Sequence, residues 1–211
     1  MKTTLDIKTI EKKLGKQVRQ DAVAIGFDNA ENLTGVCILR TDKEKIHLEH
    51  LQIITSNMKD DHFHKADRYV DSLNKFKQNL TKYKQHKILI VERCFFGRNV
   101  ESLIHLAHFG ILTYITLKDS INSYYYFGAT TARSIIGFNQ KKQKSKCTIK
   151  AKTYTRDTKN KKGKILHRKG EKKKISCKEL VHDYLKTDFE IIISQPDEAD
   201  AFVLALAGLL Q

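Results

Sequence analysis

The chain has 211 residues, of which 40% are hydrophobic, so it is long and apolar enough to form one domain with a buried core. Its 39 Lys and Arg residues exceed its 24 Asp and Glu residues, and the net charge of +15 indicates an anionic partner such as nucleic acid or an acidic membrane surface. We find no apolar run long enough to span a bilayer and no secretory signal at the N-terminus, so we expect no membrane partner.

The cysteines are widely spaced and include no C-x-x-C pair, which argues against a zinc site or a disulfide framework. We therefore expect reduced thiols in an intracellular protein. These cysteines are Cys37, Cys94, Cys147 and Cys177.

The positive charge is concentrated in one segment of the chain. Residues 140–175 contain 16 Lys and Arg residues and two acidic residues, a net charge of +14, whereas the remainder carries only +1. We therefore divide the chain into an extension over 1–20 and a domain over 21–211 with a basic insertion over 140–175. Apolar and aromatic residues between the lysines favour a β-hairpin over the alternative, a disordered lysine tail.

The first half of the chain predicts strands followed by a surface helix. Strands are expected at 22–28, 34–39 and 46–54, separated by turn-like segments, as in an antiparallel meander. Apolar residues at helical spacing predict a helix over 61–83. The preceding extension predicts a short amphipathic helix rather than a targeting peptide, because Asp6 and Glu11 are unusual in targeting peptides.

The second half alternates strands and helices, which implies parallel pairing. Strands are expected at 86–92, 111–117 and 189–193. Helices are expected at 99–110, 129–136, 176–186 and 196–210. The aromatic cluster at 123–127 is typical of core packing, and base stacking by one or two of its rings is the alternative. The basic hairpin is expected from 148–155 and 164–168.

Three elements that lie far apart in the sequence end or begin in acidic residues. Asp28 and Glu92 each close an apolar strand, and Asp197 and Asp200 share one face at the start of the last helix. Acids in a first turn often only complement the helix dipole. Because all three features occur together, we expect the four carboxylates to meet and to bind divalent metal ions, which prefer oxygen ligands.

The order of these residues resembles the motifs of the RuvC-type Holliday junction resolvases, within the RNase H-like superfamily. The first motif, a strand ending in Asp followed by Thr-Gly, corresponds to Asp28, Thr34 and Gly35. The second, Glu-x-x-Phe followed by a basic residue, Asn and Ser, lies within 91–102 and is the most specific. The third resembles 136–137 with Lys178, and the fourth corresponds to Asp197, Asp200 and Ala201.

The resemblance implies an RNase H-like α/β fold with a five-stranded mixed sheet, helices on both faces and, here, the added basic hairpin. It also implies that Asp28, Glu92, Asp197 and Asp200 hold two Mg²⁺ ions, for which Mn²⁺ can substitute. The activity implied is symmetric nicking of four-way DNA junctions by a homodimer that pairs through the helix at about 99–110.

Six residues are candidates for DNA contacts. The resemblance implies base stacking by Phe95, for which a core ring is the alternative, and phosphate contacts by three basic residues, for which solvated surface charges are the alternative. The hairpin adds two lysines. The five basic candidates are Arg98, Arg133, Lys178, Lys150 and Lys152.

The sequence also departs from the family pattern and leaves two other functions open. It carries the extension and the basic insertion, and Asn29-Ala30 replaces the common Pro-Gly after the first Asp. The alternatives are an RNase H-like nuclease acting on RNA–DNA hybrids, flaps or other branched DNA, and a non-catalytic basic nucleic-acid-binding protein.

Overall fold

A six-stranded mixed sheet forms the centre of the computed structural model, which describes residues 4–30, 32–57, 59–94, 100–146, 153–159, 165–172 and 175–211. Its strands are β1 (Thr4–Asp6), β2 (Ala22–Asp28), β3 (Leu33–Thr41), β4 (Lys45–Thr55), β5 (His86–Glu92) and β6 (Ser123–Phe127). They lie in the order β1-β4-β3-β2-β5-β6. The pairs β2–β5 and β5–β6 are parallel, and the others are antiparallel.

Seven α-helices and a second, two-stranded sheet complete the described part of the chain. The helices are α1 (Ile7–Leu14), α2 (His62–Leu80), α3 (Val100–Leu117), α4 (Ala129–Ile135), α5 (Gln140–Lys146), α6 (Cys177–Asp188) and α7 (Pro196–Leu209), with a 3-10 turn at Lys118–Ser120. In the basic insertion, β7 (Thr153–Lys159) pairs antiparallel with β8 (Ile165–Lys172), which is the predicted hairpin. Its predicted start at 148 lies outside the described residues.

The alternation of side chains along β2 divides the apolar residues between two cores, because successive residues of a strand point to opposite faces of the sheet. Val23, Ile25 and Phe27 pack in the cluster that contains α2 and α3. Ala22 and Ala24 pack in the cluster that contains α1, α4, α6 and α7. Helices therefore cover both faces of the sheet, and the predicted fold class is confirmed.

The central elements follow from local sequence. Every residue of β2 is buried, as its uninterrupted apolar run predicts. The apolar, alanine-rich α7 lies against the sheet and begins with proline in its first turn. Ser176 and Glu179 form a reciprocal capping box that starts α6.

Two predicted strands do not form, and two strands were not predicted. The segment 111–117 is the second half of α3 rather than a strand, and 189–193 follows α6 without forming a strand. The fifth strand of the predicted sheet is instead the aromatic cluster, β6. The sixth is β1, which together with α1 packs residues of the N-terminal extension against β4 and the core.

Among the residues that the structure describes, one helix meets the length and composition needed to cross a membrane, contrary to our expectation from the sequence. It covers Val100–Ser120, and 22% of its apolar window is buried. A single helix of this kind is weak evidence for a membrane span. Phe109 and Leu117 pack in the core with β2 and α2, so one side of α3 belongs to the globular fold.

Candidate active site

Asp28 and Glu92 lie side by side at the same edge of the sheet. Phe27 pairs with Val91 in the parallel ladder between β2 and β5, so the residues that follow them are neighbours. Ala24 on β2 and Ile90 on β5 both belong to the core under α7, and the two-residue period directs Asp28 and Glu92 to that same face. The two acidic strand ends therefore meet, as the sequence predicted.

Helix α7 brings Asp197 and Asp200 to this edge because two glycines allow it to lie directly on the sheet. A Cβ atom at Gly35 would overlap the carbonyl oxygen of Asp197, and one at Gly26 would overlap the backbone of α7. Asp28 pairs with Gly35 across β2 and β3, so this close approach occurs beside Asp28. The Thr-Gly of the first motif thus has a packing function.

The ammonium group of Lys178, on the first turn of α6, joins three of the carboxylates. Its Nζ atom lies 2.9 Å from Asp28 Oδ2, 2.5 Å from Asp197 Oδ1 and 3.7 Å from Asp200 Oδ2. The Asp28 and Asp200 side chains are 5% and 6% exposed, whereas that of Lys178 is 41% exposed. A partly exposed cation therefore links two buried aspartates, Asp28 and Asp200, with the more exposed Asp197.

Arg133 of α4 binds Asp200, one of the three carboxylates that Lys178 also contacts. Its Nη2 atom lies 2.8 Å from Asp200 Oδ1 and 2.9 Å from Oδ2, and its Nε atom donates to Oδ1 at 3.2 Å. Its remaining nitrogen, Nη1, lies 3.4 Å from Cys177 Sγ. A guanidinium bound to both carboxylate oxygens fixes the plane of that carboxylate, so Arg133 orients Asp200.

The electrostatics of the cluster show an excess of negative charge. Burial raises the pKa of Glu92 to about 9, and the hydrogen bond to Asp28 and the charge of Asp28 act in the same direction. Burial also raises the pKa of Asp200, against the opposing attraction of Arg133. Burial alone would lower the pKa of Lys178, but the neighbouring aspartates raise it above its usual value. Glu92 therefore holds a proton more readily than a free glutamate does, and Lys178 holds its positive charge more firmly than a free lysine does.

The chemistry of these residues fits a hard divalent cation. All four acidic side chains offer oxygen ligands, and burial and the neighbouring Asp28 both raise the pKa of Glu92, so a cation in the cluster would be favoured. Within the described ranges, no group of three or more His, Cys, Asp or Glu side chains is already arranged as metal ligands are. The three aspartates are arranged around the ammonium of Lys178 instead.

Six of the ten predicted site residues lie together in the structure, and the other four lie outside the described residues. Asp28, Glu92, Asp197 and Asp200 meet, and the predicted phosphate-contact residues Arg133 and Lys178 lie among them as partners of carboxylates. Four other DNA-contact candidates lie outside the described residues: Phe95, Arg98, Lys150 and Lys152. No local pattern indicates the pairs Arg133–Asp200 and Lys178–Asp28, because the partners are 67 and 150 residues apart.

Comparison with known proteins identifies one family. Residues 24–162 match the model of the family "Crossover junction endodeoxyribonuclease RuvC". This match includes Asp28 and Glu92 and ends before Lys178 and the two aspartates of α7. No curated protein matches the sequence at a significant level.

Solved structures share the fold at low sequence identity. RuvC from Thermus thermophilus in complex with a Holliday junction substrate superimposes with a TM-score of 0.57 and 13% identity, covering 88% of this chain and 91% of that chain. A second structure of Thermus thermophilus RuvC gives a TM-score of 0.55 and 13% identity, covering 88% and 92%. The yeast mitochondrial Holliday junction resolvase Ydc2 gives 0.48 and 10%, covering 95% and 82%.

Proposed function

The chain belongs to the RuvC family of crossover junction endodeoxyribonucleases, and from this premise we propose that it cleaves four-way DNA junctions at the cluster of Asp28, Glu92, Asp197 and Asp200. The observation that carries the proposal is the convergence of these acids from β2, β5 and α7 at one partly open edge of the sheet. The similarity to RuvC bound to a Holliday junction supports branched DNA as the substrate.

The four carboxylates would hold two Mg²⁺ ions, with Mn²⁺ as a substitute, and such ions activate the attacking water and stabilise the leaving oxygen of a phosphodiester. Asp28 and Asp200 are fixed for this task by burial, and Arg133 sets the orientation of Asp200. Lys178 keeps the acids together in the ion-free protein. Because its side chain is 41% exposed, its ammonium can also reach a phosphate at the edge of the site.

The active form that we propose is a homodimer that pairs through α3. The outer face of this helix exposes large apolar side chains that the described chain leaves uncovered: Val100, Ile104, Ile111, Tyr114 and Ile115. The ring of Tyr114 contacts the ring of Tyr124 on β6, with their centroids 4.8 Å apart. Exposed apolar surface of this extent on one helix indicates a contact surface. A second copy of the chain, bound to this face of α3, would supply the second active site that symmetric nicking requires.

The basic insertion would contact the phosphates of the junction arms. Its net charge of +14 accounts for nearly all of the charge of the chain. The strand β8 ends six residues before Lys178, so the base of the hairpin lies within about 20 Å of the backbone of Lys178, whose side chain contacts the carboxylates. We assign Lys150 and Lys152 to phosphate contacts, Arg98 to a phosphate near the crossover and Phe95 to base stacking there. The protein would act in a compartment that contains DNA.

Cleavage of a synthetic four-way junction with and without Mg²⁺ tests this function. We expect paired nicks near the crossover that require the metal. Asp28→Asn should abolish cleavage but retain junction binding, because it removes a charge that repels phosphate. Asp119→Asn, at a side chain that is 73% exposed, is the matched control and should cleave normally.

Matched RNA–DNA hybrid and flap substrates distinguish the alternatives. Faster cleavage of a hybrid or flap than of the junction would contradict the proposed substrate. Junction binding without metal-dependent cleavage in the unmodified protein would favour a non-catalytic binding protein.

A further inference from the structure

Asn29, the residue directly after Asp28, is held on the opposite face of the sheet from the carboxylate cluster. The alternation along β2 sends Asp28 towards α7, and the following side chain lies among α2 and α3. Asn29 is 7% exposed, although it lies at a strand end where asparagine is normally solvated. A buried polar side chain at this position requires partners, and the structure supplies them to its oxygen Oδ1, whereas its Nδ2 atom has no hydrogen-bond partner among the described residues.

Two buried hydroxyl groups meet the side chain of Asn29. The hydroxyl of Tyr69 in α2 donates to Asn29 Oδ1 at 2.9 Å and lies 2.7 Å from Thr113 Oγ1 of α3. Thr113 Oγ1 is 3.4 Å from the same Oδ1 and donates to the carbonyl oxygen of Phe109 at 2.8 Å. Tyr69 and Thr113 are 3% and 0% exposed, so no solvent competes for these hydrogen bonds.

The next residue of the turn, Ala30, is held by hydrogen bonds with Thr34 of β3. The hydroxyl of Thr34 donates to the carbonyl oxygen of Ala30 at 2.9 Å and accepts from the amide of Ala30 at 3.3 Å. The chain leaving Asp28 is therefore bound from two sides, by β3 at Ala30 and by α2 and α3 at Asn29. Asp28 itself is fixed between this turn and the ladder of β2.

We propose that Asn29, Tyr69 and Thr113 form a positioning network that fixes the carboxylate of Asp28 by anchoring the residue after it to α2 and α3. This inference rests on the proposed function, because its catalytic consequence requires that Asp28 act in cleavage. None of the three residues faces the carboxylate cluster, so they act through Asp28 and not on the substrate.

The network should matter more for rate than for binding. Loss of the Tyr69 hydroxyl removes the hydrogen bond that it donates to the buried Asn29 Oδ1, and the turn gains freedom to move. A displacement of about 1 Å at a catalytic group can lower a rate up to about a hundredfold. Junction affinity depends on phosphate contacts elsewhere and should stay within about twofold of the unmodified protein.

The test compares Tyr69→Phe and Asn29→Ala, singly and together, with Tyr83→Phe. Tyr83 is a good control because it is 6% exposed, belongs to the same core cluster and has a hydroxyl without a hydrogen-bond partner in the described chain. Three quantities are measured: the single-turnover cleavage rate at saturating junction, junction affinity without divalent ions, and amide hydrogen exchange of the peptide that covers 22–34.

We expect Tyr69→Phe and Asn29→Ala each to lower the rate about tenfold or more, with unchanged affinity and faster exchange at 28–30. The double variant should be no slower than the slower single variant, because the two residues act as one unit. Tyr83→Phe should match the unmodified protein in rate and exchange.

Equal rates and equal exchange in Tyr69→Phe and Tyr83→Phe would overturn the inference. A loss of rate with an equal loss of affinity would also overturn it, since that pattern indicates general structural damage. If Tyr69→Phe fails to fold, Thr113→Val, which keeps the side-chain shape, takes its place. If the unmodified protein does not cleave, the proposed function fails, and exchange at 28–30 alone decides whether the network holds the turn.

Discussion

At the scale of single residues, the charge balance of the site depends on Lys178. Its ammonium contacts Asp28, Asp197 and Asp200, two of which are almost completely buried. Buried acids without a compensating charge are costly, so in the ion-free protein this lysine, together with Arg133, takes the charge-neutralising role that we propose for divalent ions in the loaded protein. The two forms should therefore respond differently to its removal.

We predict that Lys178→Met destabilises the ion-free protein and that Mg²⁺ reduces the difference. The expected loss is about 1–2 kcal/mol, below the value for a fully buried pair because the side chain is partly exposed. Thermal unfolding in EDTA and in Mg²⁺ measures both effects. Lys186→Met, at an exposed position of the same helix, is the control and should change the midpoint little. A Lys178→Met protein as stable as this control in EDTA would contradict the prediction.

The four acids could be predicted from the sequence because each of them interrupts or borders an apolar run in a way that a core residue would not. The partners of these acids could not. Arg133 and Lys178 reach Asp200 and Asp28 across long sequence separations, and a surface lysine and a paired lysine look the same in a sequence. Asn29 likewise gives no signal, since its partners are hydroxyl groups on two distant helices.

At the scale of secondary structure, the packing of α7 against the sheet determines where Asp197 and Asp200 lie. The helix lies across Gly26 and Gly35, with Ala205 next to Gly26 and Ala201 next to Gly35. A methyl group at Gly35 would meet the backbone of Asp197, which cannot turn aside as a side chain can. The absence of a Cβ atom at Gly35 therefore allows α7 to lie this close to β3.

We predict that Gly35→Ala lowers both stability and cleavage. Overpacking of this kind typically costs about 1–3 kcal/mol, and the displaced Asp197 should lower the single-turnover rate of junction cleavage. Gly128→Ala is the control, because a Cβ atom there would lie 3.8 Å from its nearest neighbour, an ordinary contact. Thermal unfolding and cleavage rates check both variants. Equal behaviour of the two alanine variants would show that α7 has room to move.

The errors in the predicted elements have physical causes. Helix α3 is apolar on several faces, because one face packs in the core and another is exposed, so its second half lacks a helical period and resembled a strand. Strand β6 was obscured because its residues are aromatic on both faces, although their burial alternates as expected. Strand β1 is three residues long, too short for any pattern.

At the scale of the whole molecule, the exposed face of α3 predicts the oligomeric state. Ile111→Glu and Ile115→Glu place charges at side chains that are 54% and 55% exposed, so the fold should tolerate them while the proposed dimer does not. We expect both variants to sediment as monomers and to lose paired nicking.

The control for this experiment is Ile192→Glu, at a side chain that is 58% exposed and lies away from α3 in the chain. It should sediment as the unmodified protein does. Unchanged sedimentation of both α3 variants, or a monomeric unmodified protein at micromolar concentration, would contradict a dimer through this helix.

The charge distribution of the molecule predicts how its DNA affinity depends on salt. If the insertion follows phosphates, each lysine that contacts a phosphate contributes about 0.9 to the slope of log affinity against log salt concentration. The double variant Lys150→Gln with Lys152→Gln should therefore reduce the magnitude of the slope by up to about 1.8. Such a change is measured by titrating a junction with the metal-free protein at several salt concentrations.

A control variant that loses two lysine charges elsewhere distinguishes local phosphate contacts from an effect of net charge. Lys75→Gln with Lys84→Gln, both at exposed positions in and just after α2, lowers the net charge equally. If only total charge mattered, the two double variants would weaken binding alike. We expect the α2 pair to leave the slope unchanged, because phosphate contact and not overall charge releases counterions. If the slope of log affinity against log salt concentration were equal in the two double variants, Lys150 and Lys152 would not contact the DNA. The insertion would then need another role.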